Sequence, residues 1–202
     1  MPRPRIHDLD GVLDAAESIA ARSGPAAVTI RAVAQSAGIS NGAMYHSFGS
    51  RAELLGRTWL RAARRFLAVQ TELVEKAEAT ADLDGVDAIV AAAQAPAVFT
   101  ERYPDSSRLL LTVSREQLLG EELPDALAAE LAGADKALVR LMVRLARRLW
   151  ERGDRRAVEI VTTCVVDLPT AILLRRDRVT DPLALEQLRA AVRAVVAIGP
   201  PP

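Results

Sequence analysis

Residues 29–48 read TIRAVAQSAGISNGAMYHSF and predict two short helices joined by a tight turn. Thr29 can cap the first helix, because its hydroxyl can accept one of the backbone N–H groups that have no partner at a helix start. Gly38 stands where helix ends commonly enter the left-handed conformation, which costs glycine no side-chain clash. Ser40 can cap the second helix. The turn is only about three residues long, as a helix-turn-helix unit requires.

The second predicted helix begins with small, uncharged residues, where a helix facing solvent ordinarily carries Glu, Lys and Arg. A small side chain lets a backbone approach closely, and a helix N-terminus carries partial positive charge that favours phosphate. The pattern therefore predicts that the start of this helix meets base edges in a DNA groove. Tyr45 and His46 follow as hydrogen-bond donors suited to phosphate oxygens. The small residues are Ser40, Asn41, Gly42 and Ala43.

Helices are also predicted on both sides of this unit. Upstream, an apolar stripe at helical spacing runs through Val12, Ala16 and Ala20 and ends at Ser23-Gly24-Pro25. Downstream, Ser50-Arg51-Ala52-Glu53 has the pattern of a capping box, in which the Ser and Glu side chains each bond the other residue's backbone N–H. A glycine-linked helix pair also occurs in all-α proteins that bind no nucleic acid, but the flanking helices favour a compact DNA-binding domain.

These residues resemble the TetR family of bacterial transcriptional regulators. The resemblance runs from about Leu9 to Leu67, through VLDAAESIAARSG, VTIRAVAQSAGIS, NGAMYHSF and SRAELL. It implies a homodimeric, all-helical repressor whose amino-terminal domains bind a palindromic operator of double-stranded DNA. It also implies a carboxy-terminal domain that binds a small-molecule effector, which releases the repressor. The family more often carries Lys where Arg51 stands and a bulkier residue where Ser47 stands. The candidate DNA-contacting residues are Thr29, Arg31, Ser40, Asn41, Gly42, Ala43, Tyr45, His46 and Arg51.

The charge distribution agrees with an amino-terminal DNA-binding domain. The net charge is zero, yet residues 1–65 hold nine arginines against five acidic residues, so they carry +4 and the remainder carries −4. Attraction to phosphate, and its dependence on salt, should therefore arise in the first third of the chain. The alternative is a surface of scattered charge without a binding role.

Cysteine and histidine counts limit the chemistry. With Cys164 alone no intrachain disulfide can form, and two histidines make no cluster of zinc-ligand spacing. The apolar surroundings of Cys164 predict a buried side chain rather than a redox sensor. No leader of signal type is recognised, and apolar runs such as residues 88–99 fall short of the ~20 residues that span a bilayer. We therefore expect a cytoplasmic protein with no membrane contact, metal or cofactor.

The fold class predicted is all-α, with about nine helices in two domains. Residues 1–50 form the helix-turn-helix DNA-binding domain, and residues 51–202 form a helical effector-binding and dimerisation domain. An apolar helix over residues 155–178 should be kinked or interrupted at Pro169, because its ring displaces a helical hydrogen bond. A last helix should begin at Asp181-Pro182. A row of arginines is predicted on the helix that precedes residue 155. It is a solvated face, a site for an anion, or a set of partners for acidic residues of the same domain. The row comprises Arg140, Arg144, Arg147 and Arg148.

The last two helices are the candidate dimer interface, because the first of them is apolar on nearly every side and needs a cover. Dimerisation would set two recognition helices roughly 34–36 Å apart, one turn of B-form DNA. The alternative is that both helices only close the core of one chain. The candidate interface residues are Val161, Val165, Leu168, Ile172, Leu185, Leu188, Val192 and Val195.

The effector is predicted to be largely apolar, because two Trp, two Tyr and three Phe leave a cavity to be lined mainly by aliphatic groups. Core packing is the alternative role for each of the larger side chains. The candidate pocket residues are Trp59, Phe66, Phe99, Tyr103, Met142 and Trp150.

No enzymatic function is predicted. The chain has no glycine-rich phosphate loop, no Gly-x-Ser-x-Gly elbow and no His-rich metal pattern. The alternative to a transcriptional regulator is a helical adaptor or ligand-binding protein that no longer binds DNA.

Overall fold

The computed structural model describes residues 9–80, 85–114, 117 and 122–200, and within these ranges it contains helices and no strand. The all-α prediction is confirmed. Ten α-helices occur in the described ranges, against about nine expected: α1 (Leu9–Ser23), α2 (Ile30–Ala37), α3 (Asn41–Phe48), α4 (Arg51–Ala79), α5 (Gly85–Ala93), α6 (Ala95–Arg102), α7 (Pro104–Thr112), α8 (Asp125–Trp150), α9 (Arg155–Thr162) and α10 (Pro182–Ile198).

The chain divides into two compact units. The first comprises Met1–Ala63 and Tyr103–Gly133, and the second comprises Arg64–Arg102 and Ala134–Pro202. In the first unit α7 packs against α1, although the sequence places α7 far beyond the predicted boundary at residue 50. Local motifs mark where a helix starts but not which distant helix it packs against.

The core of the first unit is formed by the inner faces of its helices. Gly56 on α4 is part of this packing, because an added Cβ would lie 2.9 Å from Leu127 Cδ2 on α8. A larger residue would therefore displace the end of the Leu127 side chain, and glycine lets these two helices approach closely. The fully buried side chains of this core include Met44, Leu54 and Leu109.

A buried acid ties three helices of the first unit together. Glu17 on α1 is 3% exposed and accepts hydrogen bonds from Arg61 Nε at 3.1 Å and from Ser106 Oγ at 2.7 Å. Arg61, on α4, also donates to Asp14 Oδ1 at 2.7 Å. A buried carboxylate is tolerated only when it is paired and hydrogen-bonded, and these contacts provide both. The cluster holds α4 and α7 against α1.

In the second unit, the helical stretch over residues 85–102 divides into α5 and α6 at Gln94. Pro96 has no N–H to donate to the carbonyl of Ala92 one turn earlier. Gln70 on α4 supplies the missing donor, because its Nε2 lies 3.1 Å from Ala92 O. Gln70 is 1% exposed, and its Oε1 has no hydrogen-bond partner among the described residues. The break thus follows from the proline and is stabilised from α4.

The disturbance predicted at Pro169 takes the form of wide turns rather than a break. After α9 the chain continues helically through two π-helical turns, Thr163–Asp167 and Thr170–Leu174, which flank the proline. The N–H of Arg175 accordingly reaches five residues back, to Thr170 O at 2.9 Å. A π turn leaves room for a ring that would collide with the carbonyl of a regular helix.

The whole helical stretch Arg155–Leu174 is long and apolar enough to cross a membrane by length and composition, yet only 33% of its apolar window is buried. The expectation that no stretch reaches this length is therefore wrong. A single helix of this kind is weak evidence for a membrane span. The inner side of this stretch packs in the second unit's core, and its exposed side carries Val166 and Ala171 beside charged residues.

Candidate nucleic-acid interface

The predicted helix-turn-helix is present with its local hydrogen bonds in place. Thr29 Oγ1 accepts from the N–H of Ala32 at 3.1 Å, and Ser40 Oγ accepts from the N–H of Ala43 at 3.2 Å. Gly38 has φ 69° and ψ 29°, the left-handed conformation expected at the end of α2. All three local predictions are confirmed, because caps and left-handed glycines act within one helical turn.

The third helix has one buried and one exposed face. Met44 and Phe48 point into the core, where each is at most 2% exposed. Tyr45, in contrast, is 58% exposed, although a tyrosine ordinarily buries much of its ring. The remaining candidate residues on the exposed side are Ser40, Asn41, Gly42 and His46, with Ala43 half-buried.

Gly42 lies in the first turn of α3 with open space around it. An added Cβ would meet no atom closer than Ser40 Oγ at 4.0 Å. The fold therefore does not require glycine at this position. The missing side chain leaves a flat, polar helix start that another molecule can approach.

Arg31 and Thr29 extend the exposed surface at the start of α2, where both are solvent-exposed. Arg51 is placed differently, because it is half-buried and its guanidinium binds the loop before α2. Nε donates to Val28 O and Nη2 donates to Pro25 O, both at 2.8 Å. Arg51 thus holds the approach to α2 in place, a role that the sequence motif did not reveal.

Half of the predicted capping box forms at the start of α4. Ser50 Oγ accepts from the N–H of Glu53 at 3.1 Å. The reciprocal bond is absent, because the N–H of Ser50 donates to Phe48 O and the Glu53 carboxylate binds Arg57 Nε at 2.9 Å. An (i, i+4) cation competes successfully with the cap for this carboxylate.

This surface coincides with a known family domain. Residues 12–58 match the family model described as bacterial regulatory proteins, tetR family. Residues 12–58 thus carry a TetR-family domain.

Solved structures of TetR-family regulators share the fold over nearly the whole length of this chain. PfmR, a TetR family transcriptional regulator from Thermus thermophilus, has 23% identity and a TM-score of 0.65, with 92% of this chain and 97% of that one covered. A TetR-like transcriptional regulator from Rhodococcus sp. RHA1 has 18% identity and a TM-score of 0.67, with 98% of each chain covered. A TetR-family regulator from Streptomyces coelicolor has 20% identity and a TM-score of 0.64, with 95% and 98% covered. No curated protein matches the sequence.

The six residues predicted for an effector pocket are divided between the two compact units. In the first unit, Trp59 donates from Nε1 to Val113 O at 2.9 Å, and Tyr103 is exposed and precedes α7. In the second unit, Phe66 and Phe99 form an edge-to-face pair with ring centroids 5.4 Å apart. Met142 is buried in the core of this unit, and Trp150 is partly buried and packs against the same core. Core packing, the alternative considered for each, accounts for Phe99 and Met142.

A cleft in the second unit lies elsewhere, between α4, α5, α6 and the start of α10. None of the six predicted residues is among those that line it. Its most distinctive polar residue, Arg189, was missed because a single arginine on an amphipathic helix looks like solvated surface.

The predicted dimer residues turn out to lie mostly inward. Val161, Val165, Leu188 and Val192 are at most 3% exposed within a single chain, so they cannot face a partner. The other four residues are half-buried against the same core: Leu168, Ile172, Leu185 and Val195. The selection was wrong for the four buried residues, because periodicity finds an apolar stripe without telling whether it faces the chain's own core.

Part of the predicted basic row on α8 is paired with acids of the same unit. Arg144 binds Glu78, and Arg148 Nε lies 3.8 Å from Glu78 Oε1. Glu78 is on α4, so these contacts link two helices of the second unit. Pairing with acidic residues of the same domain, one of the roles considered for this row, therefore accounts for both arginines.

Proposed function

We propose that this protein is a cytoplasmic, sequence-specific repressor that binds a palindromic operator as a homodimer and is released by a small-molecule effector. No catalytic step is part of this function. The observation that carries the proposal is the exposed start of α3, where small polar residues and Tyr45 form one open surface.

The interface proposed with DNA is the N-terminal part of α3 together with the start of α2. Asn41 and Gly42 would meet base edges, because they lie in the first turn of the helix that enters the major groove. Thr29, Arg31, Tyr45 and His46 would bind phosphates beside them. Ser40 and Ala43 complete the first turn of α3. Arg51 would act mainly by holding the approach to α2, with any phosphate contact additional to its two carbonyl bonds.

The dimer interface proposed is the outer side of the last two helical stretches. Val166 is 37% exposed and Leu183 is 57% exposed, so neither side chain is covered within its own unit. Ala190 and Ala194 lie on the same outer side of α10 as Leu183 and are exposed. Small residues allow two helices to approach closely, and a second copy is the partner that brings an identical apolar face.

The effector would act by population shift. A ligand that binds better to a dimer whose recognition helices are out of register shifts the protein toward that form, and its effect cannot exceed its differential affinity. The second unit, which holds a cleft and contains no residue of the helix-turn-helix, is the proposed place of binding.

The test is fluorescence anisotropy with labelled DNA from upstream of the protein's own gene. Tyr45→Phe and Asn41→Ala should each weaken binding by roughly 1–3 kcal/mol if the lost group contacts a base, and somewhat less if it contacts a phosphate. Ser36→Ala, an exposed change in the last turn of α2, serves as the matched control and should leave affinity unchanged.

A helical adaptor would give a different result. Its DNA binding would be weak, indifferent to sequence and insensitive to both α3 substitutions. That outcome would refute the repressor function.

A further inference from the structure

The cleft of the second unit has the size of a small-molecule site. Its volume is about 620 Å³, within the range of roughly 300–1,000 Å³ that ligand pockets occupy. All residues that line it belong to the second unit, so the cleft is complete within one compact body.

Aliphatic side chains form most of its walls. Leu73 comes from α4, Ala97 and Val98 come from α6, and Leu185 comes from α10. No aromatic residue is among the described residues that line the cleft. Such walls favour a flexible alkyl chain over a flat ring, because they offer dispersion contacts without a stacking surface.

One of the described residues that line the cleft is a cation. Arg189 on α10 lines it and is solvent-exposed. With the Gln94 amide oriented as hydrogen bonding requires, its oxygen accepts from Arg189 Nε at 2.6 Å and from Nη2 at 3.1 Å. A guanidinium carries five N–H donors, so three remain after these two bonds.

Among the described residues, Arg189 has an oriented guanidinium whose charge is not neutralised by an ion pair. Its partner Gln94 is a neutral amide, and no carboxylate of the described ranges forms an ion pair with it. Arg193, one turn further along α10, instead binds the Asp87 carboxylate. A guanidinium that is held in position and lacks an anion is suited to a bidentate carboxylate.

We propose that this cleft binds a straight-chain aliphatic carboxylate, with the carboxylate on Arg189 and the alkyl chain against Leu73, Ala97, Val98 and Leu185. The proposal rests on the effector-binding function proposed above and names the ligand class. Glu101 also lines the cleft and is exposed. Because it would attract a cationic head group instead, an alkylammonium is the opposite ligand for the test.

The test is isothermal titration calorimetry of the full chain with decanoate, in the absence of DNA. We expect one decanoate per chain. Arg189→Gln should weaken binding at least about tenfold, because it removes the charged half of the carboxylate contact. Arg193→Gln, on the same helix but outside the cleft, is the matched control and should bind as the wild type does.

Two further measurements separate the head group from the chain. Decanol should bind the wild type about as weakly as decanoate binds Arg189→Gln. Ala97→Leu should lower the affinity for decanoate, because the larger side chain narrows the cleft. Thermal unfolding checks that each variant is folded, and decanoate should raise the melting temperature of the wild type more than that of Arg189→Gln.

Three results would overturn the proposal: no decanoate binding by the wild type, equal affinity of Arg189→Gln, or tighter binding of decylammonium. Because the calorimetry contains no DNA, it is independent of the repressor function. A chain that binds decanoate but no operator would refute the repressor and leave the cleft assignment standing.

Discussion

At the scale of single residues, Gly42 is a position where the fold does not require glycine but the proposed DNA contact does. Its surroundings within the chain leave room for a side chain, and glycine is a poor helix former. A residue that folding does not favour, placed at the centre of the proposed DNA surface, is consistent with close approach of another backbone.

We predict that Gly42→Ala leaves the fold intact and raises its stability by up to about 0.5–1 kcal/mol, because alanine loses less backbone entropy in a helix. The same change should lower operator affinity by filling the approach to the groove. Urea unfolding and DNA anisotropy measure the two effects. Unchanged affinity would show that α3 does not approach DNA through this turn.

Arg51 is a residue whose role changes once its contacts are known. We predict that Arg51→Met lowers the free energy of unfolding by roughly 2 kcal/mol, because two hydrogen bonds from a charged group to half-buried carbonyls are lost. Arg57→Met on the same helix is the control, since its (i, i+4) pair with Glu53 contributes only about 0.3–0.5 kcal/mol. Equal, small losses in urea unfolding, with DNA affinity reduced only for Arg51→Met, would instead make Arg51 a phosphate contact.

At the scale of helices, charged groups join α4 to α6 within the second unit. Arg102 Nη1 lies 2.6 Å from Glu72 Oε2, and Lys76 adds a second bond from the next turn of α4. The Arg102 hydrogen bond, followed by the Lys76 bond, lowers the pKa of Glu72 from 4.5 to about 2. The carboxylate is therefore stabilised in the folded chain.

The pH dependence follows from the sign of this shift. A lowered pKa means that the contribution to stability is present above pH 4.5 and is lost as the pH falls toward 2. The stability difference between wild type and Glu72→Gln should therefore shrink over this range in urea unfolding. Carboxyl NMR should find the pKa near 2 in the wild type, higher in Lys76→Gln and higher still in Arg102→Gln. A wild-type value near 4.5 would contradict the ion pair.

At the scale of the whole molecule, apolar side chains such as Val166 and Leu183 remain exposed on Arg155–Leu174 and α10 in a single chain. Burying these side chains against a partner would remove apolar surface from water, which favours association. A second copy satisfies the requirement and doubles the DNA-binding surface, which raises specificity for a palindrome.

We predict that Ala190→Glu yields a monomer with native helix content, because it places an unpaired charge in the proposed interface. Operator affinity should fall at least about tenfold with the loss of one half-site. Ala129→Glu, an equally exposed alanine on α8, is the control and should remain dimeric. Analytical ultracentrifugation and anisotropy give both readouts, and a dimeric Ala190→Glu would place the interface elsewhere.

The bounds of the two helices of the helix-turn-helix could be predicted from the sequence. Thr29, Gly38 and Ser40 act through contacts within about one turn, so residue type and spacing were sufficient to locate α2 and α3. The start of α10 at Asp181-Pro182 was predictable for the same reason. Helical periodicity likewise determined the all-α class.

Long-range packing decided what local patterns could not. Glu17 carries a charge on an apolar helix face, which was a signal, but its partners Arg61 and Ser106 are 44 and 89 residues away. The inward faces of the last two helices and the position of Arg189 beside Gln94 depend on the same packing. In these helices more than one face could have packed into the core. Contacts with distant segments decided which face is buried. The sequence by itself thus determined the helices and the reading motif, whereas the tertiary structure decided the partners, because distant contacts leave no periodic trace in the chain.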